Sequence, residues 1–221
     1  MKLLDKEKQV KILFEDNHLI IVNKPSPLLT QPTEKEEDSL EMRLKSYIKE
    51  KEKKQNNVFL HCIHRIDKKV SGIVIFAKSS KALKRMQRMQ KMQQIEKKYI
   101  AILNGELSVL KDNLKNYLKR SSFKTLITNK NDEDAKLAVL DYQVIKHINR
   151  NSLVEITLRT GRYHQIRAQF AHIGHPIMGD KKYGSPQNFE SLMLHHKLVS
   201  FVHPVTLEQI TISSTADFVE N

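Results

Sequence analysis

Residues 64–78 read HRIDKKVSGIVIFAK. The second half, Ser71 to Ala77, is an apolar run too short for a helix and rich in β-branched residues, so it predicts a buried strand. The first half is charged. Asp67 stands between Arg65 and the pair Lys68-Lys69, in a chain whose formal net charge is +13. An acid so placed either balances its neighbours or is held ionised by them for use. Just upstream, VFLHCI (residues 58–63) predicts a second buried strand that ends on the charged loop, where site residues are commonly displayed.

Working outward, VKILF and LIIVNKP flank Asp16-Asn17 and predict a hairpin over residues 10–25. Pro25 ends its second strand, because proline cannot donate to a ladder, and Lys24 reads as a plain strand end. TQPTEKEEDS is a polar loop. Asp38 or Ser39 caps a helix carrying Leu40, Leu44, Tyr47 and Ile48 on one face, and this helix frays near Gln55. Ser79 or Ser80 caps another, with Leu83, Met86, Met89 and Met92 as a core stripe. Seven Lys/Arg and one acid, Glu96, lie between residues 81 and 98. They form a solvated face or a phosphate-contacting one.

EKKYIAILNG predicts a strand closed by a turn. Residues 106–135 read as a surface hairpin or insert, AVLDYQVI and LVEITL as alternating strands. TGRYHQIR (160–167) leads into a short helix from Gln165 to His172 that stops at Gly174. LMLHHKLVSF and QITISS are late strands. Strands and helices mix without regular βαβ alternation, so the expected class is α+β, in one domain over residues 1–221.

The totals narrow the function. A chain of 221 residues with pI near 9.7 is expected to meet a polyanion. Its basic residues are spread over the chain, which favours nucleic acid over a membrane surface. No run approaches the roughly 18 apolar residues of a span, and residues 1–16 show no leader pattern. The lone Cys62 excludes an internal disulfide and fits a reducing cytoplasm. There is no GxxxxGK[ST], no GxGxxG, no GxSxG and no HExxH. Ten histidines with one cysteine make a poor metal set. A phosphoester hydrolase would need metal-binding carboxylates that cannot be placed. Arginines, His164 and Gln165 crowd the mouth of a helix, where a phosphate or a carboxylate such as Asp67 could be held. An ionised, oriented carboxylate is a nucleophile for an anomeric carbon.

At these residues the sequence resembles the RluA-type pseudouridine synthases. VNKPSPLLT resembles the first motif of that family and HRIDKKVSGIVIFAKS the second. EKKYIAILNG resembles its Lys-x-Tyr-x-Ala segment, LRTGRYHQIR with IGHPIMGDKKYG its third motif, and LMLHHKLVSFVHP its C-terminal segment. The five stand in the family's order. The sequence departs from the pattern at Ser26-Pro27, Ile66, Val70 and Tyr163, and none of these removes a catalytic group. The resemblance implies a mixed, mainly antiparallel sheet flanked by helices and loops around a catalytic cleft, without a separate N-terminal S4-type domain. It implies isomerisation of uridine to pseudouridine in ribosomal or transfer RNA by a cytoplasmic monomer needing no metal or nucleotide cofactor. By position it makes Asp67 the catalytic aspartate, Tyr99 the tyrosine stacked on the target base, and Arg167 the cation paired with Asp67. Arg65 would fill the gap left by the flipped base, with Leu194, Arg162 and His164 as further pocket or RNA contacts. The rival expectation is a catalytically idle RNA-binding or ribosome-assembly protein on the same scaffold; loss of Asp67 or Tyr99 would have signalled it, and both are present.

Overall fold

The computed structural model describes residues 10–35, 38–53 and 55–219. Residues 1–9, expected to hold no leader, and 36–37 of the polar loop lie outside them. The chain divides into two compact units, residues 1–95 with 200–214, and residues 96–199 with 215–221.

The first unit begins with β1 (Lys11–Glu15) and β2 (Leu19–Lys24) as an antiparallel hairpin. Asp16 makes the turn by accepting the N–H groups of His18 and Leu19 at 2.7 and 2.6 Å. Then come α1 (Leu40–Lys51), β3 (His61–Cys62), β4 (Ser71–Ala77) and α2 (Ser80–Lys91). β4 runs antiparallel to β2 from Gly72 to Ala77, and β3 pairs with β4. Leu19 to Val22 and Ile73 to Ala77 are each 0% exposed in succession. Their continuous apolar reading therefore reflects burial on both faces. Ser39 Oγ accepts the Met42 N–H and Ser79 Oγ the Ala82 N–H, so Ser39 rather than Asp38 caps α1 and Ser79 rather than Ser80 caps α2.

Two expectations are corrected here. VFLHCI contributes a strand of only two residues. Leu60 and Ile63 are buried while Phe59 and His61 are exposed, so the segment lies along the sheet with one wet side and pairs only at its end. The methionine stripe also fails at its far end. A spacing of three residues lags the helical turn of 3.6, so nine residues on from Leu83 the side chain points the opposite way. Met86 is fully buried with Ala82, whereas Met92 is 54% exposed.

The second unit is built on β5 (Glu96–Asn104), β6 (Lys111–Arg120), β7 (Thr125–Thr128), β8 (Lys136–Ile148) and β9 (Asn151–Leu158). Next come α3 (Gln165–His172) and β10 (Leu194–Val202), which crosses back to the first unit beyond Val199. The spatial order is β10-β5-β9-β8-β6-β7, with β5/β9, β9/β8, β8/β6 and β6/β7 antiparallel. The segment read as a surface hairpin or insert is half right: its tip is a hairpin, but β6 pairs with β8 along eight residues and belongs to the sheet. Gly174 takes φ +85° just past α3, the left-handed exit that glycine permits. β11 (Gln209–Ser213) pairs with β10 in the first unit. There His203 is pinned, its Nδ1 accepting the Thr206 N–H at 2.9 Å and its Nε2 lying 3.1 Å from Asp16 Oδ2.

The architecture is α+β.

Candidate active site

In the first unit Asp67 stands on the loop between β3 and β4, half-buried, with Arg65, Lys68 and Lys69 exposed around it. The loop is held from beneath by the segment after β2. The Thr30 hydroxyl donates to the Ile66 carbonyl at 2.8 Å and accepts the Ile66 N–H at 3.3 Å. The Leu28 N–H donates to the Lys68 carbonyl at 3.0 Å, and the Val70 N–H closes a turn on the Asp67 carbonyl at 3.0 Å. The Ser26-Pro27 bond just before these anchors is cis.

Lys24, read from sequence as a strand end, is the largest surprise. It is 0% exposed. Its Nζ donates to the carbonyls of Leu28 at 2.7 Å, Pro25 at 2.9 Å and Lys68 at 3.2 Å. Three carbonyls match the three protons of an ammonium; a neutral amine would leave one without a donor. Burial pushes the amine down to about 7, and the charge of Asp67 pulls it back up. One side chain thus ties the two loops together and sets a cation near Asp67. No local signal in the sequence marks it, because one of its acceptors, the Lys68 carbonyl, comes from chain 44 residues away. Nearby Cys62 is pushed up to about 11, chiefly by burial, which leaves it a thiol.

In the second unit Tyr99 sits on β5 opposite Ile156 of β9 and is 6% exposed. The ring of His196, fully buried on β10, lies parallel to it at 4.4 Å and 11°. His196 was passed over in the sequence as one of a histidine pair; only the pairing of β10 with β5 reveals it as the backing of Tyr99. Lys97 shares the Tyr99 face of β5 by strand alternation, and burial lowers its amine to about 8.

Arg167 is on the first turn of α3, 8% exposed. Its Nε and Nη2 donate to Asp180 Oδ2 and Oδ1 at 2.6 and 2.9 Å, and its guanidinium lies 5.0 Å from the centre of the Tyr183 ring. Asp180 is 1% exposed. The two parallel bonds fix the guanidinium plane. Asp180 was not singled out in the sequence, although it closes the IGHPIMGD stretch.

Gln165 accepts the Arg162 N–H at 3.0 Å and the Thr160 hydroxyl at 2.8 Å, which shapes the loop before α3. Arg162 is exposed and donates to the Leu137 carbonyl. His164 takes φ +52° and is buried, while Leu194 opens β10 at 3% exposure. The structure thus brings Tyr99, Arg162, His164, Arg167 and Leu194 into one unit, and Asp67 and Arg65 into the other. Among the described residues no group of three or more His, Cys, Asp or Glu could hold a metal ion, and no helix is long and apolar enough to cross a membrane.

Comparison with solved structures defines the class. Human RNA pseudouridylate synthase domain containing 1 superposes with a TM-score of 0.79 at 21% identity, over 98% of this chain and 87% of that one. Human RNA pseudouridylate synthase domain containing 4 gives 0.78 at 22%, over 94% and 89%. The fold is that of a pseudouridine synthase. Residues 18–172 match the family model for RNA pseudouridylate synthase, so the chain belongs to that family, in its RluA-type branch. It is 32% identical over 218 residues to ribosomal large subunit pseudouridine synthase C of Buchnera aphidicola subsp. Baizongia pistaciae, covering 94% of this chain and 67% of the relative. It is 33% identical over 231 residues to tRNA pseudouridine synthase C of Haemophilus ducreyi, covering 95% and 92%. The enzyme is an isomerase acting on uridine in RNA.

Proposed function

We propose that this enzyme modifies a uridine in structured ribosomal or transfer RNA, with Asp67 as its reactive carboxylate. The observation that carries the role of Asp67 is the clamp on its loop. Thr30, Leu28 and the buried Lys24 hold the backbone on both sides of Asp67 and leave the side chain half-exposed. A carboxylate serving only to balance charge would need no such support.

The target nucleotide leaves its helix, because its C1′ and C5 cannot be reached in a stack. Arg65, exposed beside Asp67, fills the gap. Asp67 acts at C1′ as nucleophile, or takes the adjacent C2′ proton to leave a glycal and later returns it, while the N1–C1′ bond breaks. The uracil turns against Tyr99, whose ring is held by His196 behind it. A C5–C1′ bond forms, the C5 proton passes to solvent, and N1, left with the electron pair of the broken bond, takes a proton from solvent, so the product is an isomer of the uridine and no other acceptor takes part. Arg167, its plane fixed by Asp180, is the guanidinium assigned to the Asp67 carboxylate. Leu194, Arg162 and His164 are assigned to the pocket wall and RNA contacts. The protein works as a monomer in the cytoplasm.

RNA carrying 5-tritiated uridine tests the central assignment. The wild type should release tritium, and Asp67→Ala and Asp67→Asn should fall to background while still binding RNA. Full release by either variant would remove Asp67 from the mechanism. Mapping pseudouridines in total RNA from a deletion strain then names the RNA.

A further inference from the structure

One group in the second unit takes no part in the reaction as proposed. Tyr163, where the sequence departs from the family pattern, is 40% exposed in the loop before α3. Its ring stacks on that of His164 at 3.8 Å and 20°. The Arg120 guanidinium, at the end of β6, lies 4.6 Å from the Tyr163 ring centre. An imidazole so close leaves no room for a second group on its face, so Arg120 covers the opposite one.

The stack is anchored below. The Thr125 N–H donates to the Tyr183 hydroxyl at 2.7 Å, and His164 Nδ1 shares a hydrogen bond with the same hydroxyl at 2.9 Å. Thr125 Oγ1 donates to the Tyr163 carbonyl at 2.7 Å. Between Arg120 and Thr125 the chain makes a tight turn, closed by the Ser121 N–H on the Lys124 carbonyl at 2.8 Å. Phe123 on that turn is 77% exposed, and Lys124 beside it is exposed as well. Among the described residues no carboxylate pairs with Arg120.

We propose that Arg120, its guanidinium held over the Tyr163 ring, with Phe123 on the adjoining turn, is a seat for an unpaired nucleotide of the RNA. This rests on the reading of the chain as an RNA-modifying enzyme and adds a recognition site to it. Unpaired bases are held on aromatic rings and on arginine planes, and their phosphates by nearby cations. Arg120 is exposed, so its guanidinium, held over the Tyr163 ring, is reachable from solvent as a cationic surface on which a base can stack. Tyr163 gives the guanidinium an aromatic backing, and the exposed Phe123 on the adjoining turn offers a second ring to the same strand.

Fluorescence anisotropy with a short oligoadenylate strand and an abasic strand of equal length reads the seat without using a substrate uridine. The wild type should prefer the oligoadenylate. Arg120→Ala, Tyr163→Thr and Phe123→Ala should each weaken oligoadenylate binding by about tenfold, the size of one lost base stack, and bring it to the abasic level. Tyr163→Phe should bind like wild type, since the ring is kept. Equal wild-type affinity for both strands would leave only charge and overturn the stacking seat, as would loss of binding in Tyr163→Phe. Tritium release by the same wild-type preparation is a separate outcome: its absence would sink the proposed reaction and leave the seat to be judged by the oligoadenylate arms.

Discussion

At the scale of single residues, the groups that matter most for geometry are the buried ions. Lys24 has no exposed surface and three carbonyl acceptors from both loops around Asp67. Lys24→Met leaves those carbonyls without donors, at a cost of about 1–3 kcal/mol each if water cannot reach them, and chemical denaturation should show it. The pH dependence has a definite sign. The folded lysine titrates near 7 against an ordinary 10.5. Between those values the unfolded chain holds a proton that the folded chain lacks, so stability from this group rises with pH across the window and falls as pH drops through it. The gap between wild type and Lys24→Met should therefore narrow from pH 9 to pH 7. A gap of constant size would mean that the carbonyls keep the ammonium charged throughout. Asp180 is the other case. Asp180→Ala strands the buried Arg167 guanidinium, and removing one partner of a buried pair costs about 3–5 kcal/mol; a urea midpoint unchanged from wild type would contradict the pairing. Sequence could show that Asp67 had unusual company and that Arg167 opened a helix. It could not show Lys24, Asp180 or His196, because each acquires its partner from chain distant in sequence or from a turn whose shape the residue types do not dictate.

At the scale of elements, legibility followed the strength of the local signal. β4 was readable to its ends because seven residues in a row are apolar or small. α3 was readable because a glycine at positive φ stops it. β6 was not, since only Leu114 and Leu118 of its ten residues are buried and the rest are polar or charged. Its place in the sheet comes from pairing with β8, a contact across some twenty-five residues that no local pattern records. The α2 stripe shows the opposite error, a pattern taken too literally. Met86→Ala should cost about 2–5 kcal/mol, as truncation in a packed core does. Met92→Ala should stay within about 0.5 kcal/mol, as exposed substitutions do. Ser79→Ala, which removes the cap on the Ala82 N–H, should cost about 1 kcal/mol. Thermal unfolding of the three variants side by side tests the rotation of the helix: comparable losses at Met86 and Met92 would restore the three-residue stripe and refute the observed face.

At the scale of the whole molecule, the quantity that binds RNA before any chemistry is charge. Thirty-eight Lys and Arg stand against twenty-five Asp and Glu. Some of these charges meet internally, Lys78 and Lys51 on Glu15, Arg159 on Asp141, Lys98 and Lys197 on Glu155, Arg167 on Asp180. These pairs account for acids and bases together, so they leave the net charge of +13 undiminished for phosphates. Each phosphate neutralised on a paired RNA helix releases condensed counterion, and the logarithm of the binding constant then falls with the logarithm of salt by about 0.9 per contact, or about 0.7 on a single strand. A surface that uses even six contacts should lose roughly a thousandfold in affinity between 50 and 200 mM salt. The stacking seat responds differently, because a base on a guanidinium plane sheds few ions. Arg120→Ala should lower affinity at every salt concentration while shifting the slope by no more than about one contact, whereas Tyr163→Thr should leave the slope unchanged. Measured across a salt series, the two variants separate the electrostatic capture of RNA from the placement of one nucleotide, and a slope near zero for the wild type would remove charge as the source of the first.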